Sequence, residues 1–550
     1  LFRVIAPLLA CAAGAFAPSP AFAAPNPRLV TSLSSYDNFG PTQIVVAGGK
    51  LFFDLDDGPS GTLHGTELWV SDGTAAGTRM VTDIVPGSAS SAPSCLVGIG
   101  ATVFFNVSRG ASPQTTTELW KSDGTAAGTV RVGNLRTTDR TYDRDTLGGK
   151  LFFDATQDTA GAPDWEPWMT DGTTTTRLAD VDPSGPSTPS NVYARNGKMY
   201  FMAKSPGHTS ALWVTDASGA TPVRLTDNAE QNGYAHGFEA MGSYVYFSKA
   251  DNTETSLYRT DGTPAGTSLV KGGFAPVYSP DNMYALPTQR MLFRAFDVAH
   301  GGELWVTDGT AAGTSLVQDI NPGTNDSLEN LGSGAVYHGA LYFRADDGVH
   351  GGELWKTDGS PAGTMMFADI APGAASGAPR SFTVVGDRLV FVATDPTRGT
   401  ELWETDGTQA GTHVVADLRP GAGSSSPRNL TVLANSVFFV TDANDGPELW
   451  VYDAPPAPGG ADAGAGVDGG VVDDGGPGAS ALDASTSAST DGSAESSADP
   501  SSTGSTGCGC VVAGSASPSE GTTRGLWGLG ATLVVVWHAL RRRRARASSR

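Results

Sequence analysis

Glu67-Leu68-Trp69-Val70-Ser71-Asp72-Gly73-Thr74-Ala75-Ala76-Gly77-Thr78 is a phrase to which this chain keeps returning. It recurs as Glu118-Leu119-Trp120-Lys121-Ser122-Asp123-Gly124-Thr125 and as Glu303-Leu304-Trp305-Val306-Thr307-Asp308-Gly309-Thr310. Two further clear copies start at Glu353 and Glu401, degenerate ones surround Trp168, Trp213 and Tyr258, and a half-copy ends at Trp450. The aromatic falls at 69, 120, 168, 213, 258, 305, 355, 403 and 450, so successive copies lie 45 to 51 residues apart. A fixed period of this length marks a repeat architecture.

Aligned on the tryptophan, each unit holds four short segments. Near residue 400 they are Phe382-Thr383-Val384-Val385, Leu389-Val390-Phe391-Val392-Ala393, Glu401-Leu402-Trp403-Glu404-Thr405 and His413-Val414-Val415-Ala416-Asp417-Leu418. Each is rich in β-branched or aromatic residues and bounded by Gly, Asp, Asn or Pro, the pattern of strands joined by tight turns. Four antiparallel strands per unit of this length are the signature of a β-propeller blade. The second segment is nearly all apolar, as in Leu51-Phe52-Phe53 and Leu341-Tyr342-Phe343, which suits strands buried on both faces. The last unit stops after its third strand, Glu448-Leu449-Trp450-Val451-Tyr452, while Arg28-Leu29-Val30-Thr31-Ser32-Leu33 resembles a fourth strand. An N-terminal strand that completes the last blade closes the ring and removes its open edges. The expected fold is therefore an all-β propeller of eight or nine four-stranded blades, any irregularity falling in the degenerate units at Trp168, Trp213 and Tyr258.

The ends differ in kind from the repeats. Residues 1–24 read as a secretory signal, with Arg3, an apolar run to Phe16 and Ala21-Phe22-Ala23 as a small-residue cleavage site; lipoprotein processing at Cys11 is the rival reading. Residues 25–453 are the repeats. Residues 454–507 contain no Lys or Arg and consist mostly of Ala, Gly, Ser, Asp, Thr and Pro, a composition that builds no core and predicts a disordered acidic linker. Residues 508–550 carry Cys508-Gly509-Cys510, an apolar stretch from Leu526 to Leu540, and Arg541-Arg542-Arg543-Arg544-Ala545-Arg546. The apolar stretch is short for a membrane span, but the arginines after it fit a stop at a cytoplasmic face.

Residues 24–509 hold 27 Lys and Arg against 56 Asp and Glu, a net charge of −29. Such a body repels nucleic acid and anionic membranes. Cys95 is the only cysteine within the repeats, so no disulfide framework is expected.

The phrase Ser/Thr-Asp-Gly-Thr-x-Ala-Gly-Thr sits between the third and fourth strands. Its Asp can accept backbone N–H groups across the turn and its Gly supplies positive φ. It resembles the Asp-box hairpin of sialidase-like propellers, with Asp72, Asp123, Asp171, Asp261, Asp308, Asp358 and Asp406 at the matching place. The resemblance implies a structural turn away from any active site. Trp69, Trp120, Trp168, Trp213, Trp305, Trp355, Trp403 and Trp450 are expected to pack between blades rather than to stack on sugars. His64, His300 and His350 precede the phrase and follow the acidic clusters Asp54/Asp56/Asp57, Asp297 and Asp346/Asp347. Carboxylates with loop carbonyls suit Ca²⁺, yet no twelve-residue calcium loop is matched. Turn chemistry is the preferred reading, with no metal or cofactor assigned.

No nucleophile elbow, zinc-protease helix or phosphate-cradling loop is present, and the repeated Glu offers no unique acid–base pair. No catalytic residue is assigned. The off-repeat carboxylates Glu166, Glu230, Glu239 and Glu329 keep open a glycan hydrolase or lyase site at the propeller axis.

The end of the chain, with its Cys motif, apolar stretch and Arg cluster, resembles the myxobacterial C-terminal sorting signal. That resemblance implies cleavage near Cys508 or Cys510 by a myxosortase-type protease and display on the surface of a Gram-negative, myxobacterial cell; a plain single-pass anchor is the alternative. Residues 28–453 are similar to the ELWxxDGT-repeat proteins, predicted secreted or surface proteins, a likeness that supplies no activity. The expected function is a surface-displayed binding or adhesion module for a glycan or protein partner. The alternatives are the glycan-cleaving enzyme and a passive surface coat.

Overall fold

The computed structural model describes residues 26–455 apart from the short segments 34–39, 57, 59–63, 110–115, 139–143, 158–162, 227–233, 251–253, 276–279, 329–333 and 443–445. The chain divides into two units, Leu1–Ala488 and Ser489–Arg550. The second unit lies wholly outside the described residues, as do the signal segment, Cys11, the acidic linker, Cys508, Cys510 and the arginine cluster.

The described residues form strands and turns with no helix. They build seven four-stranded antiparallel sheets and one of eight strands. The large sheet is two blades joined, so the array holds nine four-stranded blades in chain order. Blade 1 comprises Ile44–Ala47, Lys50–Asp56, Thr66–Ser71 and Arg79–Met80. The later blades follow the same plan, starting at Ser94, Arg144, Ser190, Tyr234, Asp281, Gly334, Arg380 and Arg428.

The ninth blade closes the ring. Its fourth strand is Arg28–Ser32, paired antiparallel with Glu448–Asp453 through Arg28↔Val451, Leu29↔Trp450 and Ser32↔Glu448. Across the seam, Val30, Leu33, Ile44 and Phe53 share one core with Phe438, Val440, Leu449 and Val451. The innermost strands touch there too: Asn429 Nδ2 donates to Pro41 O at 2.8 Å and Thr431 Oγ1 to Ile44 O at 3.4 Å.

The same logic recurs at every junction. Nine apolar clusters lie one between each pair of neighbouring blades. Strand alternation sends successive side chains to opposite faces, and here both faces are blade interfaces. Phe53 and Trp69 pack toward blade 9, whereas Phe52 and Leu68 pack toward blade 2. The Trp of the phrase thus always faces the preceding blade and the Leu the following one, as Trp355 and Leu354 or Trp403 and Leu402 do.

Of the three degenerate units expected to hold any irregularity, those at Trp213 and Tyr258 form complete four-stranded blades, whereas the Trp168 unit, blade 3, is joined to blade 2 in one sheet. The outer strand of blade 2, Val130–Thr137, first pairs with Thr116–Ser122. Its second half keeps the pair Glu118↔Arg136 and on its other edge pairs with blade 3, setting Ala155↔Thr137, Thr156↔Arg136 and Gln157↔Leu135. Elsewhere among the described residues no strand is shared between neighbouring blades.

Candidate functional site

The geometry of the repeated residues decides which groups are available for chemistry. In the turn after Trp69, Asp72 Oδ1 accepts Thr74 N at 2.9 Å and Thr74 Oγ1 at 2.7 Å, and Thr74 Oγ1 accepts Gly77 N at 3.0 Å. Ser71 Oγ accepts Gly73 N at 3.1 Å and bonds Thr78 Oγ1 at 2.7 Å. The same bonds recur around Asp123, Asp261, Asp308, Asp358 and Asp406. Asp171 closes a shorter turn by accepting Thr173 N and Thr174 N, both at 2.7 Å. Hydrogen bonds from the Thr or Ser two residues on hold the carboxyls of Asp72, Asp123, Asp261, Asp308 and Asp358 below the ordinary range.

Two glycines make this turn obligatory. A Cβ on Gly77 would sit 2.0 Å from Asp72 Oδ1. Gly73 has φ +87°, and its Cβ would meet Phe438 Cζ of the preceding blade at 2.9 Å. The turn is therefore also an inter-blade joint. Basic residues of the preceding blade grip it from the other side: Arg79 Nη2 donates to Gly124 O at 3.0 Å, Lys121 Nζ to Gly172 O at 2.6 Å and Arg259 Nη1 to Gly309 O at 2.9 Å.

The Glu of the phrase has a role that sequence reasoning missed. Glu67 is fully buried and accepts Ile84 N at 3.1 Å, Ser91 N at 3.0 Å and Ser91 Oγ at 2.7 Å. Those partners lie 17 and 24 residues downstream, in the linker to the next blade. Glu303 takes Ile320 N and Ser327 Oγ, Glu353 takes Ile370 N and Gly377 N, and Glu401 takes Leu418 N and Ser425 N, at the same offsets. Glu166, which the sequence had placed off the repeat, is a fifth clasp, bonding Val181 N and Ser187. Burial pushes Glu67 and Glu303 up to about 7 against the hydrogen bonds that favour the ionised form. Two phrase glutamates show other contacts among the described residues. Glu118 instead accepts Trp120 Nε1 at 3.0 Å and pairs with Arg109 and Arg131, and Glu448 accepts Trp450 Nε1 at 3.1 Å.

His300 and His350 sit in Asp-x-x-His turns between the second and third strands of their blades. His300 Nδ1 lies 2.8 Å from Asp297 Oδ2 and His350 Nδ1 2.7 Å from Asp347 Oδ2, each backbone N–H also meeting the same carboxylate. Arg398 takes the equivalent place against Asp395 in blade 8. Asp54 is buried in blade 1 and binds Thr42 and Gln43, away from this turn. Among the described residues no group of three or more His, Cys, Asp or Glu could hold a metal ion.

Off-repeat ionisable groups lie on the innermost strands of blades 3 to 6. Asp145 Oδ2 accepts Ala194 N at 2.8 Å, Arg195 pairs with Glu239 at 3.7 Å, and burial raises the carboxyls of Glu239 and Asp281. The first two contacts join neighbouring blades at the inner rim. Glu230 and Glu329 lie outside the described residues.

One open groove breaks the repeat. It lies at the junction of blades 2 and 3, measures about 370 Å³ and is lined by Gly133, Asn134, Leu135, Gln157, Trp168 and Thr175. Gly133 has φ +64° and bends the crossing strand over Trp168. Leu135 and Trp168 belong to the apolar core beneath, whereas Asn134 and Gln157 are exposed.

No protein-family model matches the chain, and a search of curated proteins finds no relative. Among solved structures the chain is similar to puromycin hydrolase, at 16% identity over 64% of this chain and 58% of that one, with a TM-score of 0.35. It is similar to the β-propeller domain of the Trilobed protease from Pyrococcus furiosus, at 13% identity over 59% and 97%, with a TM-score of 0.31. It is similar as well to the Pyrococcus horikoshii acylaminoacyl peptidase, at 11% identity over 59% and 52%, with a TM-score of 0.29. The chain thus spans less than two thirds of puromycin hydrolase. The propeller architecture rests on the strand pairing and cyclic packing described above.

Proposed function

We propose that this chain is a surface-displayed, non-catalytic binding module for a glycan or protein partner. In this reading it leaves the cell by the Sec route and is cut near Cys508 or Cys510 by a myxosortase-type protease. It is then held on the acidic linker at the outer surface of a Gram-negative, myxobacterial cell. The observation that carries the non-catalytic part is the fate of the repeated carboxylates. Asp72 and its counterparts close turns, and Glu67 and its counterparts clasp linkers, so each already has a structural role. A rigid ring that leaves its repeated acids no free role presents surface rather than chemistry. The acid-rich inner strands of blades 3 to 6 favour the enzyme reading, and the same experiment addresses it.

That experiment is a thermal-melt screen of the full-length chain against bacterial polysaccharides, Ca²⁺ and EDTA. A ligand bound only by the folded state raises the melting temperature by mass action. A shift with a polysaccharide that is recovered intact supports the binding module, and cleaved product supports the enzyme. A shift with Ca²⁺ alone moves the Asp-x-x-His turns to metal binding. No shift with any of them, together with no retention on cell envelopes, leaves the passive coat.

A further inference from the structure

We propose that Tyr452, Asp453 and Ala454 form a mechanical mount, through which tension from the acidic linker enters the ring. This rests on the surface-display reading, in which that linker holds the propeller at the cell. Two residues after the aromatic every other unit has Ser or Thr, and the last has Tyr452. One residue after it the units have Val, Lys, Met or Arg, except the eighth, which has Glu404. The two exceptions are partners. Tyr452 is fully buried, and its hydroxyl donates to Glu404 Oε2 of the preceding blade at 2.6 Å. Arg388 Nε and His413 Nε2 flank that carboxylate at 3.9 and 3.4 Å. The exchange falls at the one unit whose third strand is followed in the chain by the linker instead of a fourth strand.

The residues after Tyr452 are fastened one by one. Asp453 Oδ1 accepts Ser436 Oγ at 2.5 Å, and Asp453 Oδ2 lies 3.6 Å from Arg28 Nε. Ala454 N donates to Asn435 O at 3.2 Å, and Ala454 O accepts Asn435 Nδ2 at 3.1 Å. Ala454 also stays buried in the core it shares with Tyr452, Val390 and Leu402. Three consecutive residues are thus tied to blade 8, to the neighbouring second strand with its turn, and to the N-terminal strand. The buried bond between Tyr452 and Glu404 dominates, because the exposed pair of Arg28 and Asp453 adds little. The strand they end, Glu448–Asp453, is paired on both sides, with Ser436–Thr441 and with Arg28–Ser32. Antiparallel hydrogen bonds run perpendicular to their strands. A pull along the strand from its end therefore strains both ladders together, whereas a sideways pull opens an edge rung by rung. The fastenings stop the ladders from fraying where the pull is applied.

The test stretches the full-length chain in optical tweezers, in a Cys508→Ser/Cys510→Ser background, with one handle at the C-terminus. The other handle sits on Val349→Cys, an exposed position in the hairpin before the third strand of blade 7, at the opposite end of the blades. Tyr452→Phe keeps an aromatic ring in the core and removes the hydroxyl bond. At fixed load its rupture rate should rise about tenfold or more, the change expected when one buried hydrogen bond disappears. Asn435→Ala, which removes the donor to Ala454 O, should act in the same direction. Stretched between Val298→Cys and Val349→Cys, both exposed on the ring, Tyr452→Phe should rupture at the parental rate. An unchanged rate from the C-terminus would overturn the mount. An equal rise for both handle pairs would overturn it too, because it marks an ordinary packing contact. The tether is judged separately, by surface labelling of intact cells. A chain released to the medium would overturn the display reading and the mount with it, whatever the tweezers show.

Discussion

A buried glutamate makes the fold sensitive to pH. For Glu67 and Glu303 burial outweighs the backbone and serine hydrogen bonds and pushes both up to about 7 from 4.5. The native state then holds the proton more tightly than the unfolded chain. Their contribution to stability is fully present below about pH 4.5 and is lost as pH rises through about 7, roughly 3 kcal/mol for each group at most. The melting temperature should therefore fall between about pH 5 and pH 8, and Glu67→Gln/Glu303→Gln should flatten that slope. Melts across the pH range check this, and an equally steep slope in the double variant would refute it. The turn aspartates act in the opposite sense, since Asp72, Asp123, Asp261, Asp308 and Asp358 are held below 3.8. Their contribution is present above that value and is lost as pH falls through the folded value, so stability should peak in mildly acidic solution. A second expectation concerns the hydrogen bonds alone. Glu401→Ala strands the N–H groups of Leu418 and Ser425 and the Ser425 hydroxyl, so it should cost about 2–5 kcal/mol in denaturant unfolding. The recurrence of this Glu was plain in the sequence, but its role was not. Its partners lie in a linker 17 and 24 residues away, and only the constancy of those offsets could have revealed them.

The strand and the turn were far more legible, because their causes are local. An unbroken apolar run such as Leu51-Phe52-Phe53 has to be buried on both faces, and all three residues are. The Asp-Gly turn likewise follows from the bonding reach of Asp and the φ freedom of Gly. What the local pattern hid is that the turn docks on the blade before it, through Gly73 on Phe438 and Arg79 on Gly124. A single methyl should therefore disturb more than a loop. In Gly411→Ala the new Cβ would lie 2.1 Å from Asp406 Oδ1, which forces the turn open. We expect a loss of about 1–3 kcal/mol by denaturant unfolding. Trp403→Ala removes a large side chain from the interface of blades 7 and 8 and should cost about 3–5 kcal/mol. The crossing strand of blade 2 was not legible at all. Val130-Arg131-Val132 reads like any fourth strand, and the second pairing, of Leu135–Thr137 with blade 3, has no local signal in the sequence.

At the scale of the ring, closure is the property that no single blade possesses. The truncated last unit and the strand-like start of the repeats pointed to it, and the pairing of Arg28–Ser32 with Glu448–Asp453 realises it. The blade count needed the structure, because Tyr258 and Trp213 stand in units too degenerate to count by their phrase alone, yet each has all four strands. No disulfide is found among the described residues, and the cysteine they contain, Cys95, is a buried thiol. The seam is held by packing, strand pairing and the polar contacts of Asn429, Thr431 and Arg28. Deleting residues 28–33 would remove Val30 and Leu33 from the closing core, at about 1.5–3 kcal/mol for each buried side chain. It would also leave Glu448–Asp453 as an open edge, and an unpaired edge recruits another strand. The deletion variant should melt earlier by an amount matching about 3–6 kcal/mol and should associate as its concentration rises, as light scattering would detect. Adding the 28–33 peptide in trans should reverse both effects if the lesion is the missing strand. A variant that stays monomeric and melts like the parent would mean that the apolar contact between blades 9 and 1 closes the ring unaided.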